Sequence, residues 1–341
     1  MTSPKRINLA LQGGGSHGAF TWGVLDTLLA DERLDIAAVS GTSAGAMNAA
    51  IMLQGWSEGG RQGAIGSLRA FWTDIGALSA VSPVRRSPLD RLQGNWNLDD
   101  SPTAIWLDYM QRTFSLWQRN PLHLDPLRDI VKRHFNQDAV RACADIKLFV
   151  AATNVETGKV RIFTRADISL DALLASACLP NAQDAVIIDG VPYWDGGFRG
   201  NPAIWPFIYE SDSRDVVLVE LNPQFRKGVP RSNAQVADRL NEITFNSALI
   251  DEMRAIAFVR NLIDKGALSG PEATRFRPML IHSIANDEAM GKLGAVSKSN
   301  IEPEFLDYMF KLGRQAAADW LAAHFERVGV ESTVDIVARF L

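Results

Sequence analysis

The sequence predicts an α/β protein built on a mainly parallel sheet, and three observations predict it. Residues 7–11, Ile-Asn-Leu-Ala-Leu, form an apolar run stopped by Gln12 and three glycines, and a helical stripe follows (Phe20, Val24, Leu25, Leu28, Leu29). A second run at 36–39 turns through Gly41-Thr42-Ser43-Ala44-Gly45 into an Ala-rich helical stretch at 44–53. Further apolar runs of strand length stand at 146–152, 160–163 and 216–221. A strand–loop–helix–strand–turn–helix start opens a parallel sheet, because parallel neighbours need a crossover between them.

The remaining elements follow in order. A segment at about 80–140, rich in Pro, Arg and Trp, interrupts the alternation and reads as an insertion. Beyond residue 230 the pattern becomes mainly helical, with candidates at 234–265 and 303–327 and one short strand candidate at 279–284. The expected organisation is therefore an α/β unit over 7–225 carrying the insertion, then a mainly helical C-terminal extension over 226–341. No repeat or low-complexity tract breaks this plan.

Composition narrows the partners. With 47% hydrophobic and 22% charged residues and a net charge of −4, nothing suggests a nucleic acid partner. Cys143 and Cys178 lack metal-site spacing, so neither a metal nor a disulfide framework is expected. The first residues lead straight into a strand too short for the apolar region of a signal peptide. No apolar run approaches the roughly 18 residues of a membrane span. The expectation is a cytoplasmic protein that meets membranes, if at all, at their surface.

The glycine loop lies after a strand and before a helix, where exposed N–H groups and the helix dipole favour negative charge. It suits a phosphate or the oxyanion of an acyl-transfer intermediate. Gly13, Gly15 and Gly18 also fit the dinucleotide spelling, but that fold wants an acid at the end of the second strand. Here Asp31, Glu32 and Asp35 precede that strand and Ser43 stands at its end. A serine at such a strand–helix junction, flanked by Gly41 and Gly45, reads as a nucleophile pushed out of the sheet. No histidine has a good claim as its base. His282 falls in a strand-like run, His324 on a helix beside Trp320 and Phe325, and His123 and His134 in or near the insertion. Asp195 is the better partner, at the end of an apolar run and followed by Gly196 and Gly197. A carboxylate raised by burial can take a serine proton directly, although Asp-Gly-Gly is also an ordinary turn.

Taken together, these motifs resemble the patatin-like phospholipases over residues 7 to about 225. The resemblance runs through Ala151-Ala152-Thr153-Asn154, Thr157-Gly158, Phe163, Ala175-Ser176-Ala177-Cys178-Leu179-Pro180, Ile188-Asp189-Gly190 and Asn201-Pro202. It implies a three-layer α/β/α sandwich and a Ser43–Asp195 dyad without histidine. It implies an oxyanion hole from Gly13, Gly14 and Gly15, with the Ala44 N–H as a further donor, and no cofactor. Gly18, Gly41, Gly45, Gly196 and Gly197 support these motifs. The expected activity is serine acyl hydrolysis of a lipid or other acyl ester through an acyl-enzyme. Acyl transfer to another acceptor, or an idle lipid-binding or regulatory protein, are the alternatives.

Several expectations attach to the departures. Ser16 and His17 stand where many members carry Arg or Lys, and His17 is expected to face solvent. The tail beyond 230 lies outside the shared core and is expected to pack as a subdomain or to form a homodimer. In the insertion, Trp106, Tyr109, Met110, Phe114 and Trp117 share one helical face, expected to pack on the core or, in a sharper reading, to form a lid or acyl-chain wall. Arg85, Arg86 and Arg91 are expected to be solvated, with an anionic head group as their alternative partner.

Overall fold

A computed structural model describes residues 4–99, 101, 106, 125–180, 182–267 and 278–341. Its strands are β1 (Lys5–Leu11), β2 (Leu34–Gly41), β3 (Lys147–Asn154), β4 (Val160–Thr164), β5 (Val186–Ile188), β6 (Val191–Asp195), β7 (Asp215–Val219) and β8 (Leu280–Ile284). They join in one eight-stranded sheet among the described residues, in the order β5-β6-β3-β2-β1-β7-β8, with β4 also paired to β3. The run β3-β2-β1-β7-β8 is parallel throughout. The pairs β3–β4, β3–β6 and β5–β6 are antiparallel. A mainly parallel sheet is thus what the early alternation predicts.

Six helices matter most: α1 (Gly18–Ala30), α2 (Ala44–Ala77), α3 (Leu170–Ser176), α4 (Asn233–Asp264), α5 (Pro303–His324) and α6 (Ile336–Phe340). Side chains alternate across a strand, so β1 serves two cores. Ile7, Leu9 and Leu11 join Phe20, Leu25 and Leu28 of α1, Phe71 of α2, and Phe305 and Met309 of α5. Ala10 joins Leu249 and Met253 of α4 with Ile336 and Phe340 of α6. Helices on both faces of one sheet make the three-layer α/β/α sandwich.

The two late helices begin where their sequence tells them to. Ser232 and Gln235 form a capping box ahead of α4, and Pro303 occupies the first turn of α5. The second helix runs far past the expected stop at 53, continuing to Ala77 across a break at Gly59 and Gly60.

Residues on the two sides of 225 share one sheet and one core. The 279–284 candidate becomes β8, hydrogen-bonded to β7 on the same sheet. Helix α5 crosses α1 so closely that a Cβ at Gly23 would stand 2.0 Å from the Phe310 carbonyl oxygen. Its buried Phe305, Met309 and Trp320 complete the main core. Local patterning reports elements, and the pairing of β8 with β7 is a long-range choice that no local pattern carries.

Within the insertion, Pro126–His134 and Gln137–Ala142 are helices whose buried Ile130, Val131 and Val140 join the main core. Arg85 and Arg91 are exposed, as expected, while the Arg86 side chain is buried, and all three also reach protein groups. Arg86 Nε and Arg91 Nη2 donate to the Glu302 carboxylate at 3.0 and 2.7 Å. Arg85 donates to the backbone carbonyls of Ser79 and Ser82 at 2.5 and 3.0 Å, and to that of Ala80. Trp106 is exposed. Tyr109, Met110, Phe114, Trp117 and His123 lie outside the described residues. Among the described residues, no helix is long and apolar enough to cross a membrane.

Candidate active site

The order of parallel strands reverses at β1, which has β2 on one side and β7 on the other. Ligands of open α/β sheets bind outside the carboxyl ends of the strands at such a switch point. Both glycine motifs leave the sheet there: β1 runs into Gln12 and the glycine loop, and β2 runs into Gly41, Thr42 and Ser43.

Ser43 has φ 54° and ψ −122°, a region costly for a residue with a Cβ, so its surroundings must hold it. The Ser43 N–H donates to Ser176 Oγ at 2.9 Å, and Thr42 Oγ1 donates to the Gly200 carbonyl at 2.5 Å. The turn also needs α2 to press against the end of β1. A Cβ at Gly45 would stand 2.2 Å from the Leu11 carbonyl oxygen. Gly41 ends β2, and Gly18 opens α1 against Ala44.

Asp195 ends β6, with its N–H donating to the Cys178 carbonyl and its own carbonyl accepting from Thr153 Oγ1, both at 2.8 Å. Its side chain is 1% exposed, and Oδ1 accepts from the Gly197 N–H at 2.7 Å. Burial pushes the carboxyl up to about 7, against the lowering pull of the Gly197 N–H, the Ser43 hydroxyl and the Lys298 charge. Gly196 lies tight against the Ala151 carbonyl and begins the turn that carries Gly197.

The glycine loop is fastened by buried amides. Gln12 Oε1 accepts from the N–H groups of Leu221 and Asn222 at 2.7 and 3.0 Å, tying the end of β1 to the chain after β7. The Gly13 N–H donates to Asn201 Oδ1 at 2.7 Å, and the Gly13 carbonyl accepts from Asn222 Nδ2 at 3.1 Å. That bond commits the Gly13 N–H to holding the loop, whereas Gly14, Gly15 and Ala44 line the cavity with Ser43 and Asp195. The cavity has a volume of about 380 Å³. Met47, Phe71, Trp72, Ile75 and Leu127 give it an apolar lining, while Asn241, Lys298 and Ser299 give it a polar one.

His17 does not face solvent. It is buried against Phe305, with Nε2 2.8 Å from Ser297 Oγ, because the segment at 295–299 closes over the loop. Burial and the nearby Lys298 charge drop its pKa to about 3. His282 is buried between Asp215 and Thr333, His134 binds Asp74, and His324 packs by Trp320. None of these histidines lines the cavity of Ser43. Among the described residues, no group of three or more His, Cys, Asp or Glu is arranged to hold a metal ion.

Sequence reasoning missed Ser176 as a holder of the Ser43 turn, and it missed Lys298 altogether. Ser176 does stand in the Ala175–Pro180 stretch that carries the resemblance, and that was its only signal. Lys298 comes from the region expected to be a separate extension, and nothing local marks it.

A family model described as Patatin-like phospholipase matches residues 9–208. No curated protein matches the chain at a significant level. Among solved structures, the chain is similar to VipD from Legionella pneumophila, at 15% identity and TM-score 0.40, over 94% of this chain and 67% of that one. It is similar to the type III effector protein ExoU at 16% identity and TM-score 0.34, over 96% of this chain and 54% of that one. It also matches full-length ExoU in complex with full-length SpcU, from the type III secretion system of Pseudomonas aeruginosa, at 15% identity and TM-score 0.28, over 93% and 53% of the two chains. The chain therefore spans about half the length of the ExoU chains.

Proposed function

This chain belongs to the patatin-like phospholipase family, whose members hydrolyse acyl lipids, and from that premise we propose that it is a serine acyl hydrolase of lipid esters working through Ser43 and Asp195. One observation carries the reading. A serine on a strained strand–helix turn and a buried carboxyl held near neutrality line the same partly apolar cavity. An acid with that affinity for protons is half-ionised near pH 7, which suits a general base at neutral pH.

In this mechanism ionised Asp195 takes the Ser43 hydroxyl proton as Oγ attacks the ester carbonyl carbon. The N–H groups of Gly14, Gly15 and Ala44 receive the charge that develops on the carbonyl oxygen. The alcohol leaves with the proton held by Asp195, and the acyl group stays on Ser43. Water, deprotonated in turn by Asp195, attacks the acyl-enzyme, and Asp195 returns that proton to Ser43 Oγ as the Oγ–acyl bond breaks and the acid leaves. The apolar lining from α2 and Leu127 shelters the acyl chain.

The test is hydrolysis of p-nitrophenyl esters of graded chain length. Ser43→Ala and Asp195→Asn are each expected to lower kcat by about 100-fold or more, the scale of a lost nucleophile or base. Activity surviving in Ser43→Ala would overturn the assignment. Release of p-nitrophenol that transfers the acyl group to an added alcohol, with no free acid formed, would assign acyl transfer instead.

A further inference from the structure

Lys298 lines the cavity of Ser43 and Asp195, although it lies 90 residues beyond the 9–208 family match (298 − 208). It is half-buried, and its ammonium is held in place by two neutral oxygens, Asn222 Oδ1 and Asn241 Oδ1, each at 2.8 Å. An ammonium has three N–H donors, two of which go to these oxygens, and Nζ also stands 5.6 Å from the centroid of the Phe245 ring in the same cavity lining. No carboxylate among the described residues makes an ion pair with it. Glu242 is taken by Arg226 and Arg239 at 2.6 and 3.1 Å, and Asp238 accepts the Ala295 N–H at 3.0 Å. Asn222 also binds the glycine loop, so the cation is built onto the same frame as the oxyanion donors.

A charge drawn partly out of water without a counterion is costly, and an anion that reaches it recovers part of that cost. Burial shows this cost by lowering the Lys298 pKa to about 8, in spite of the raising influence of Glu242, Asp238 and Asp195. The cavity therefore offers an apolar lining suited to an acyl chain and one cation set beside the ester-cleaving groups. A glycerophospholipid has that pattern, with its phosphodiester on the same glycerol as the ester to be cut. We propose that Lys298 binds the substrate's phosphodiester, making this an enzyme for anionic glycerophospholipids rather than neutral acylglycerols. The proposal rests on the acyl-hydrolase reading of Ser43 and Asp195.

The experiment compares the full chain with Lys298→Met and Lys298→Arg on dioleoyl phosphatidylglycerol and dioleoylglycerol in matched mixed micelles, with p-nitrophenyl butyrate alongside. Lys298→Met is expected to lower kcat/KM for phosphatidylglycerol at least tenfold more than for the two neutral esters, with the excess loss standing in KM. Lys298→Arg should recover part of that KM. Equal losses on all three esters would overturn the proposal and make Lys298 a positioning residue acting through Asp195. Inhibition of the wild type by free oleate but not by glycerol 3-phosphate, abolished in Lys298→Met, would also overturn it, because the anion held would then be the released acid. A second arm separates this proposal from the underlying one. Calorimetric binding of dihexanoyl phosphatidylglycerol to Ser43→Ala, with and without Lys298→Met, needs no turnover. Binding at least tenfold weaker without the lysine supports the anion site even if the wild type cuts no ester, and unchanged binding removes it.

Discussion

Asp195 responds to pH in two ways that pull against each other. As a base it must be ionised, so kcat/KM for a neutral ester should rise with pH through an apparent pKa near 7. His17, held neutral down to about 3, adds no titration there. A flat profile between pH 5 and 8 would remove Asp195 as the base. Stability runs the other way. The folded carboxyl binds its proton up to about 7 and the unfolded one only up to about 4, so between those values the native state holds more protons. The contribution of Asp195 therefore falls as pH rises through that window and stays lost above it. Asp195→Asn keeps the shape, cannot ionise and should be more stable than wild type at pH 8, by an amount on the order of a few kcal/mol. At pH 4 the two should match in denaturant midpoint. Ser43 and Asp195 were legible in the sequence because each sits in a short motif whose glycines are demanded by local geometry. Lys298 was not, since its place beside them is made by the way distant segments meet.

The element that holds the Ser43 turn is the end of α3. Ser176 is fully buried, and its oxygen is the acceptor for the Ser43 N–H. Ser176→Ala would leave that donor without its partner in a region closed to water, at a cost of about 1–3 kcal/mol. Chemical denaturation should show the lower midpoint, and kcat should drop while KM for a short ester holds, because what loosens is the serine's orientation. An unchanged midpoint together with unchanged kcat would show that the turn needs no such support. The elements themselves were legible to different degrees. Helices α4 and α5 were readable almost to their ends because a capping box and an N-terminal proline announce them. The length of α2 was not, since two adjacent glycines signal a stop and the chain only breaks stride there before packing Phe71 and Trp72 into the core.

At the scale of the whole molecule, one sheet and one cavity draw on both halves of the chain. The expectation of a hydrolase ending near 225 came from where the motifs stop, and motifs mark chemistry rather than the limits of a core. Residues 1–225 alone would lack β8, the helices α4 and α5 that cover opposite faces of the sheet, and Lys298. That fragment is expected to show no cooperative unfolding transition and no ester hydrolysis, although it contains Ser43 and Asp195. A sharp thermal transition with activity would instead restore the division at 225. There is also a matter of timing. Ribosomes deliver the chain from its N-terminus at about 5–20 residues per second, and central β1 must wait for β7 and then β8, both encoded far downstream. The segment at 295–299, which lies over the glycine loop, arrives later still. A growing chain thus carries Ser43 long before it has a finished pocket around it. That order works as a delay line: the cavity around Ser43 cannot close until the segment at 295–299 has been added.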